Sequence, residues 1–104
     1  MAVTSKLLFR GAASTGSTTL YTVPNTSTTT VVTNIVITNT AATSATATIN
    51  IDGVAVLSGS SVAANGVTTV DLKQVIPANA TPKTITGLAS TSTVNFHISG
   101  VEIV

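Results

Sequence analysis

Branched side chains constrain this chain more than any other feature. The sequence contains 22 Thr, 14 Val and 8 Ile among 104 residues. A second heavy atom on Cβ stiffens χ1, which disfavours helices and suits the pleated surface of a sheet. No apolar stripe with a period of 3.6 residues is long enough for a helix. We therefore expect an all-β protein, and a chain of this length has room for one core.

Alternating apolar residues, interrupted by turn residues, divide the chain into short strands. The predicted strands are residues 5–10, 18–23, 28–40, 67–75, 84–88 and 93–104, with two more within 46–58. Residues 28–40 carry apolar side chains on both parities, which indicates a central strand covered on both faces for part of its length. Residues 84–88 are predicted as a short edge strand. The parity of the last strand switches at Gly100, which predicts a β-bulge at Ser99-Gly100.

Asp52-Gly53 is the strongest local signal. It lies between two alternating runs and predicts a type I′ hairpin, whose two turn residues both need positive φ. The implied register sets two apolar pairs opposite each other on the core face, Ile51 with Val54 and Ile49 with Val56. Asn65-Gly66 predicts a second turn, and residues 77–83 predict a loop.

These elements predict a single antiparallel β-sandwich of about seven to nine short strands. Its topology is either jelly-roll or immunoglobulin-like. We expect one domain over residues 1–104, in which residues 1–10 form either an arm or the first strand. The sequence shows no linker and no internal repeat.

Low charge limits the partners of this protein. Charged residues make up 7% of the chain, and the net charge is +1. Four scattered cations cannot neutralise many phosphates, so we expect no nucleic-acid partner and no attraction to anionic membranes. A near-neutral, hydroxyl-rich surface resists association poorly. We therefore expect the protein to bind copies of itself or another protein.

Acid–base chemistry would have to come from very few side chains, because the chain has three carboxylates, one histidine and no cysteine. We expect Asp52 in the hairpin turn, with Asp71 and Glu102 pointing to solvent. His97 is expected on the face opposite Phe96, as a surface or interface residue. No catalytic, metal or cofactor site is predicted, so the protein is not expected to be an enzyme.

The amino-terminal segment does not match a secretion signal. Its apolar run, Leu7 to Phe9, is shorter than the 7–15 residues of a signal-peptide core and is followed by Arg10. We therefore expect synthesis in the cytoplasm without secretion.

Four stretches together resemble small β-sandwich virion proteins of tailed phages. They are TTLYTVPNTSTTTVVTNIVITNT, INIDGVAVL, VDLKQVIPANATPKTITGLAS and VNFHISGVEIV, and the resemblance runs from residue 6 to residue 104. Such proteins are found among head-decoration proteins and among tail or fibre tip domains. The resemblance implies a protein without a cofactor that binds the outside of a capsid in symmetric clusters.

The leading functional expectation is therefore a decoration or head-stabilising protein on the capsid surface of a virion. Its expected partners are the major capsid protein and copies of itself, as a trimer or another symmetric cluster. The alternative is a tail, baseplate or fibre component for host-surface adhesion. An immunoglobulin-like cellular adhesion module would normally carry a secretion signal. The expected contact residues are Lys6, Leu7, Leu8, Phe9 and Arg10, in a segment that holds two of the four cations.

Overall fold

A computed structural model describes residues 2–104. Within them, eight strands form two four-stranded antiparallel sheets that pack as a sandwich. The strands are β1 (Val3–Ala12), β2 (Thr18–Thr22), β3 (Thr29–Asn39), β4 (Ala45–Ile51), β5 (Val54–Val62), β6 (Val67–Ile76), β7 (Thr84–Ala89) and β8 (Val94–Ile103). The described residues contain no helix long and apolar enough to cross a membrane.

The order of the strands identifies the topology. The first sheet has the order β1-β8-β3-β6, and the second has the order β2-β7-β4-β5. Each strand in the first half of the chain pairs with its mirror in the second half, β1 with β8, β2 with β7, β3 with β6 and β4 with β5. A long hairpin folded over into two sheets gives this pattern, which is the jelly roll. Of the two topologies predicted, the jelly roll is therefore the one found.

The core lies between the inner faces of the two sheets. Phe96 is fully buried in β8, the strand between β1 and β3, and it belongs to one core cluster with isoleucines of both sheets. In the described residues, every buried side-chain nitrogen or oxygen has a hydrogen-bond partner. The largest fully buried apolar side chains are Phe96, Ile35, Ile37, Ile49, Ile76, Ile85, Ile98, Val23, Val32, Val62 and Val94.

Irregularities in the first sheet line up at one level across its strands. Leu8 is an extra residue in β1 relative to β8, and Thr33 is an extra residue in β3 relative to β8. At the same level, β6 places two residues opposite Thr33. We call this line of bulges the crease.

The crease corrects two predictions. The bulge expected at Ser99-Gly100 lies instead in the neighbouring strands β1 and β3, and β8 alternates regularly. Gly100 is the position in β8 that atoms of β1 and β3 approach closely. A Cβ at Gly100 would clash with the carbonyl oxygen of Val31 and would lie 3.0 Å from Leu8 Cδ1. The second correction concerns β3, whose two apolar parities reflect a shift at Thr33 that turns Val32 and Ile35 to the same core.

The predicted hairpin is confirmed in its turn and corrected in its register. Asp52 and Gly53 have φ of 54° and 74°, as a type I′ turn requires, and Ile51 pairs with Val54. Ile49, however, pairs with Leu57 rather than Val56, because β4 and β5 shift register between these pairs. Val54 is not on the core face, since it is 68% exposed.

Other predicted elements have mixed outcomes. Asn65 has φ of 51°, which confirms the second turn, and residues 77–83 form the predicted loop. The segment predicted as an edge strand is β7, which lies inside the second sheet between β2 and β4. Its backbone pairs with β2 on one side and with β4 on the other, and its alternating burial shows only that one face meets the core. Residues 3–10 belong to β1, an edge strand of the first sheet.

Candidate interaction surface

The outer faces of the two sheets differ in chemistry. The outer face of the second sheet is rich in hydroxyl groups, with Thr19 opposite Thr86 and Thr46 opposite Ser61. The outer face of the first sheet also carries threonines, such as Thr29 and Thr38, but it combines them with charged side chains and with most of the highly exposed large apolar side chains, Val3, Leu7, Val67 and Val75. A monomer gains nothing by exposing apolar groups in a cluster, so the first sheet presents the better candidate for an interface.

An apolar group on this face, which we call the outer valine patch, consists of Val3, Val31, Val75, Val101 and Ile103. These residues occupy neighbouring positions on all four strands, because Val31 pairs with both Val101 and Val75, and Val3 pairs with Ile103. Val3 and Val75 are 63% and 58% exposed, and the other three are partly exposed. The sequence contained a signal for this patch, since Val101 and Ile103 have the parity opposite to that of Phe96 and Ile98. The bulge predicted at Gly100 was the wrong interpretation of that change, because both residues face outward.

Two open depressions lie along the crease, next to the outer valine patch. One has a volume of about 410 Å³ and is lined by Ser5, Lys6, Leu7, Arg10, Thr33, Ser99, Gly100 and Val101. The other, of about 430 Å³, is lined by Thr33, Asp71, Leu72 and Lys73. Thr33 lines both, and its hydroxyl donates a hydrogen bond of 3.3 Å to the Ser99 carbonyl oxygen. The bulges thus produce relief on a face that would otherwise be even.

The five predicted contact residues do not all face outward. Lys6, Leu7 and Arg10 are exposed and line the first depression. Leu8 is 8% exposed and belongs to the core, and Phe9 is partly buried against that core. A partner on this face can therefore reach Leu7 and Arg10. Lys6 is exposed at the sheet edge, but its ammonium group pairs with Glu102 on the core side, and Leu8 and Phe9 hold β1 on the sandwich.

His97 lies on the outer face, opposite in parity to Phe96, as predicted. It pairs across the strands with Arg10, and its Nδ1 accepts a hydrogen bond of 3.1 Å from Arg10 Nε. His97 therefore acts as an acceptor that orients the guanidinium group of Arg10. This contact joins residues 87 positions apart, and nothing in the local sequence around either one indicated it.

Glu102 was predicted to point to solvent, and this prediction is wrong. Its side chain is 12% exposed, and it lies at one end of the sandwich. Glu102 Oε2 accepts a hydrogen bond of 2.6 Å from the Tyr21 hydroxyl, and Oε1 lies 3.5 Å from Lys6 Nζ. Glu102 has the parity of Phe96 and Ile98, so the regular alternation of β8 turns it inward.

Tyr21 connects the two sheets at this end. Its hydroxyl also lies 2.8 Å from the hydroxyl of Thr30, which is fully buried. Burial, together with the hydrogen bond to the Glu102 carboxylate, raises the pKa of Tyr21 to about 12. The network therefore keeps Tyr21 neutral as a hydrogen-bond donor, which is a structural role.

The remaining ionisable groups are dispersed. Asp52 pairs with Lys83 at 3.5 Å beside the hairpin turn, and Asp71 accepts a hydrogen bond of 3.3 Å from Asn34. Within residues 2–104, no three His, Cys, Asp or Glu side chains gather as metal ligands would. What the described surface offers chemically is apolar contact, hydroxyl groups and a few cations.

Comparisons with known proteins give a fold and no family. No protein-family model matches the sequence, and no curated protein matches it. Among solved structures, the chain is similar to a chain of infectious bursal disease virus, Gx strain, with a TM-score of 0.53 and 16% identity. It is also similar to a chain of the T13 particle of that virus, with a TM-score of 0.55 and 13% identity. Both matches cover 97% of this chain and 30% of the viral chain.

A third match is to an exo-β-1,3-galactanase from Phanerochaete chrysosporium, with a TM-score of 0.48 and 17% identity. It covers 97% of this chain and 29% of that one. At these identities the comparisons establish a shared β-sandwich fold, and this chain spans about 30% of the length of the chains it matches.

Proposed function

We propose that this protein is a structural component of a virion. More specifically, we propose that it binds the outer surface of a phage capsid as a decoration or head-stabilising protein. The outer face of the first sheet meets the major capsid protein and neighbouring copies, which form a trimer or another symmetric cluster. It needs no cofactor for this role.

The single observation that carries the proposal is the contrast between the two outer faces. Threonines lie on both faces, but the first sheet also presents the outer valine patch and the crease, whereas the highly exposed large apolar side chain of the second sheet is Val54 at its edge. A cluster of exposed apolar side chains on one face supports attachment in one orientation, with the outer face of the second sheet toward solvent. The fold is also one used in the viral particles to which the chain is similar.

The size of the face explains why clusters are expected. Four strands about 4.8 Å apart and ten residues long present roughly 600 Å², somewhat less than the roughly 800 Å² that one partner contributes to a typical stable interface. A single copy would therefore bind weakly. Copies arranged on a symmetric lattice would hold one another in place, and avidity would multiply modest contacts.

A matched pair of substitutions tests which face attaches. Val75→Lys places a charge in the outer valine patch, and Val54→Lys places the same charge on the edge of the second sheet. The two valines are 58% and 68% exposed, so neither change disturbs the core. Binding to capsids purified without this protein should fall about tenfold or more for Val75→Lys and stay unchanged for Val54→Lys, measured by co-sedimentation. Equal binding by both variants would refute the proposed orientation.

Counting copies in purified virions separates decoration from the alternative. A decoration protein should be present in hundreds of copies for each particle, in proportion to the major capsid protein. A handful of copies would instead support the tail, baseplate or fibre role. Absence from purified particles would overturn the virion proposal itself.

A further inference from the structure

The first depression of the crease combines features that the strand pattern alone does not explain. It is lined by two cations, Lys6 and Arg10, and by no carboxylate. Lys6 forms an ion pair with Glu102, whose side chain lies on the core side of the sheet. The ion pairs of the described chain are Lys6–Glu102 and Lys83–Asp52, and neither involves Arg10. Because the charge of Lys6 is paired with that of Glu102, Arg10 supplies the net positive charge of the depression.

Arg10 is held in position there. Its Nε donates to His97 Nδ1 at 3.1 Å, which directs the guanidinium group along the outer face. Within residues 2–104, its terminal amino groups donate to no side chain or carbonyl group. An arginine with these donors available matches a carboxylate, which accepts two parallel hydrogen bonds.

The other lining residues indicate what the carboxylate is attached to. Leu7 is 48% exposed, and Val101 lies beside it across the floor of the depression. The volume of about 410 Å³ is more than ten times the roughly 30 Å³ that one water occupies. A small free anion would leave these apolar groups and most of the space uncovered. A carboxylate flanked by apolar side chains would cover both.

We propose that this depression is the binding site for an acidic segment of a partner polypeptide, in which Asp or Glu lies between apolar residues. Arg10 binds the carboxylate, and Leu7 and Val101 contact the flanking side chains, while the ammonium group of Lys6 stays paired with Glu102 on the core side. This identification of the partner's chemistry rests on the proposed function, because it takes the outer face of the first sheet as the attachment surface.

The test uses the full-length protein and a synthetic probe, so that it is independent of capsid binding. The probe is the capped pentapeptide Ala-Val-Glu-Val-Ala, and its control is the same peptide with Gln in place of Glu. Binding is followed by NMR as changes in backbone amide shifts. The Glu peptide should shift the amides of Leu7, Ser99 and Gly100, and the Gln peptide should bind about tenfold more weakly.

Two variants locate the site. Arg10→Gln should weaken binding of the Glu peptide about tenfold. Because Arg10 is exposed, the substitution should leave the amide shifts of residues away from position 10 unchanged. Lys73→Gln is the matched control, since Lys73 is an exposed cation in the second depression of the same face, beside Asp71. It should bind like the unmodified protein.

Several outcomes would overturn the inference. Equal binding of the Glu and Gln peptides, no binding at all, or shifts centred on Lys73 would each remove the site from the crease. If Val75→Lys abolishes capsid attachment while Arg10→Gln changes neither capsid nor peptide binding, the proposed function stands and this inference fails. If the peptide binds as expected but capsids do not bind the protein, the virion role fails and the site stands.

Discussion

The contact between Tyr21 and Glu102 gives the sharpest prediction about stability. Replacing Tyr21 with Phe keeps the ring in the core and removes only the hydroxyl group. That group donates to Glu102 at 2.6 Å, so the hydrogen of Thr30 is left to bond the tyrosine oxygen at 2.8 Å. The substitution therefore takes a donor away from a carboxylate that is 12% exposed and an acceptor away from a buried hydroxyl.

The hydrogen bond to the carboxylate sets the magnitude, since a hydrogen bond to a charged group contributes about 1.5 to 3 kcal/mol to stability. The raised pKa of Tyr21, whose largest cause is burial, determines instead how the stability depends on pH. We expect Tyr21→Phe to lower the free energy of unfolding by about 2 kcal/mol. The loss stays below the upper end of that range because Lys6 remains beside Glu102 and continues to stabilise its carboxylate. For a domain of this size, Tm should fall by roughly 8 to 16 °C.

The pH dependence supplies an independent check. The folded-state pKa of Tyr21 is raised, so the unfolded chain loses the tyrosine proton first as the pH increases. The stabilisation is fully present below pH 10.0 and is lost as the pH rises toward 12. The stability difference between the unmodified protein and Tyr21→Phe should therefore shrink over that interval. Both proteins contain the same lysines, so lysine ionisation cancels in the comparison.

The assay is direct because Tyr21 is the only tyrosine and the chain has no tryptophan. Near-ultraviolet absorbance of tyrosinate reports its ionisation alone, and urea unfolding at several pH values gives the stability. A tyrosine that titrates near its ordinary pKa of 10.0 in the folded protein would refute the reasoning. So would a stability difference that is constant from pH 10 to 12.

Three further substitutions test other parts of the fold, each by urea unfolding. Asn39→Asp should lose about 3 kcal/mol or more, because Asn39 Nδ2 donates to three backbone carbonyls that would then face a carboxylate; a loss below 1 kcal/mol would show that these bonds contribute little. Gly100→Ala should lose about 2 to 3 kcal/mol through its clash with the Val31 carbonyl, whereas Gly16→Ala, with nothing nearby, should stay within about 0.5 kcal/mol. Similar values for these two variants would contradict the close approach at the crease. Gly53→Ala should lose about 1 kcal/mol, because φ of 74° strains any residue with a Cβ, and an unchanged stability would contradict the turn.

Local patterns in the sequence predicted the strands and turns well. The hairpin at Asp52-Gly53 could be read directly, because Asp-Gly between alternating apolar residues favours a turn with two positive φ values. The turn at Asn65-Gly66 was predictable for a similar reason, since Asn65 has φ of 51°. In both cases the signal lies within a few residues of chain, where steric preferences of the backbone operate. The central position predicted for β3 is correct, but its basis was wrong, because the two apolar parities come from the shift at Thr33.

Predictions failed where a second strand decides the outcome. The parity switch at Gly100 marked the right level of the sheet, but whether an extra residue lies in β8 or in its neighbours depends on how the three strands pair. The register of Ile49 with Leu57 fails for the same reason. The edge position assigned to β7 also required a knowledge of its neighbours, because length alone does not distinguish a short edge strand from a short inner one.

The candidate site was only partly accessible from the sequence. The segment that holds Lys6, Leu7 and Arg10 could be singled out because it contains two of the four cations. That Leu8 turns inward, that His97 orients Arg10, and that Glu102 meets Tyr21 from 81 residues away could not be inferred. No periodicity within one strand encodes a contact with another strand.

The amino-acid sequence by itself determined that this protein is built of strands, because branched side chains restrict the backbone and turn residues divide it, and both effects act locally. Only the tertiary structure decided which strands pair, where the crease runs, and which apolar residues remain outside the core. Those outcomes depend on the packing of two sheets against each other. The face proposed for attachment belongs to that second category.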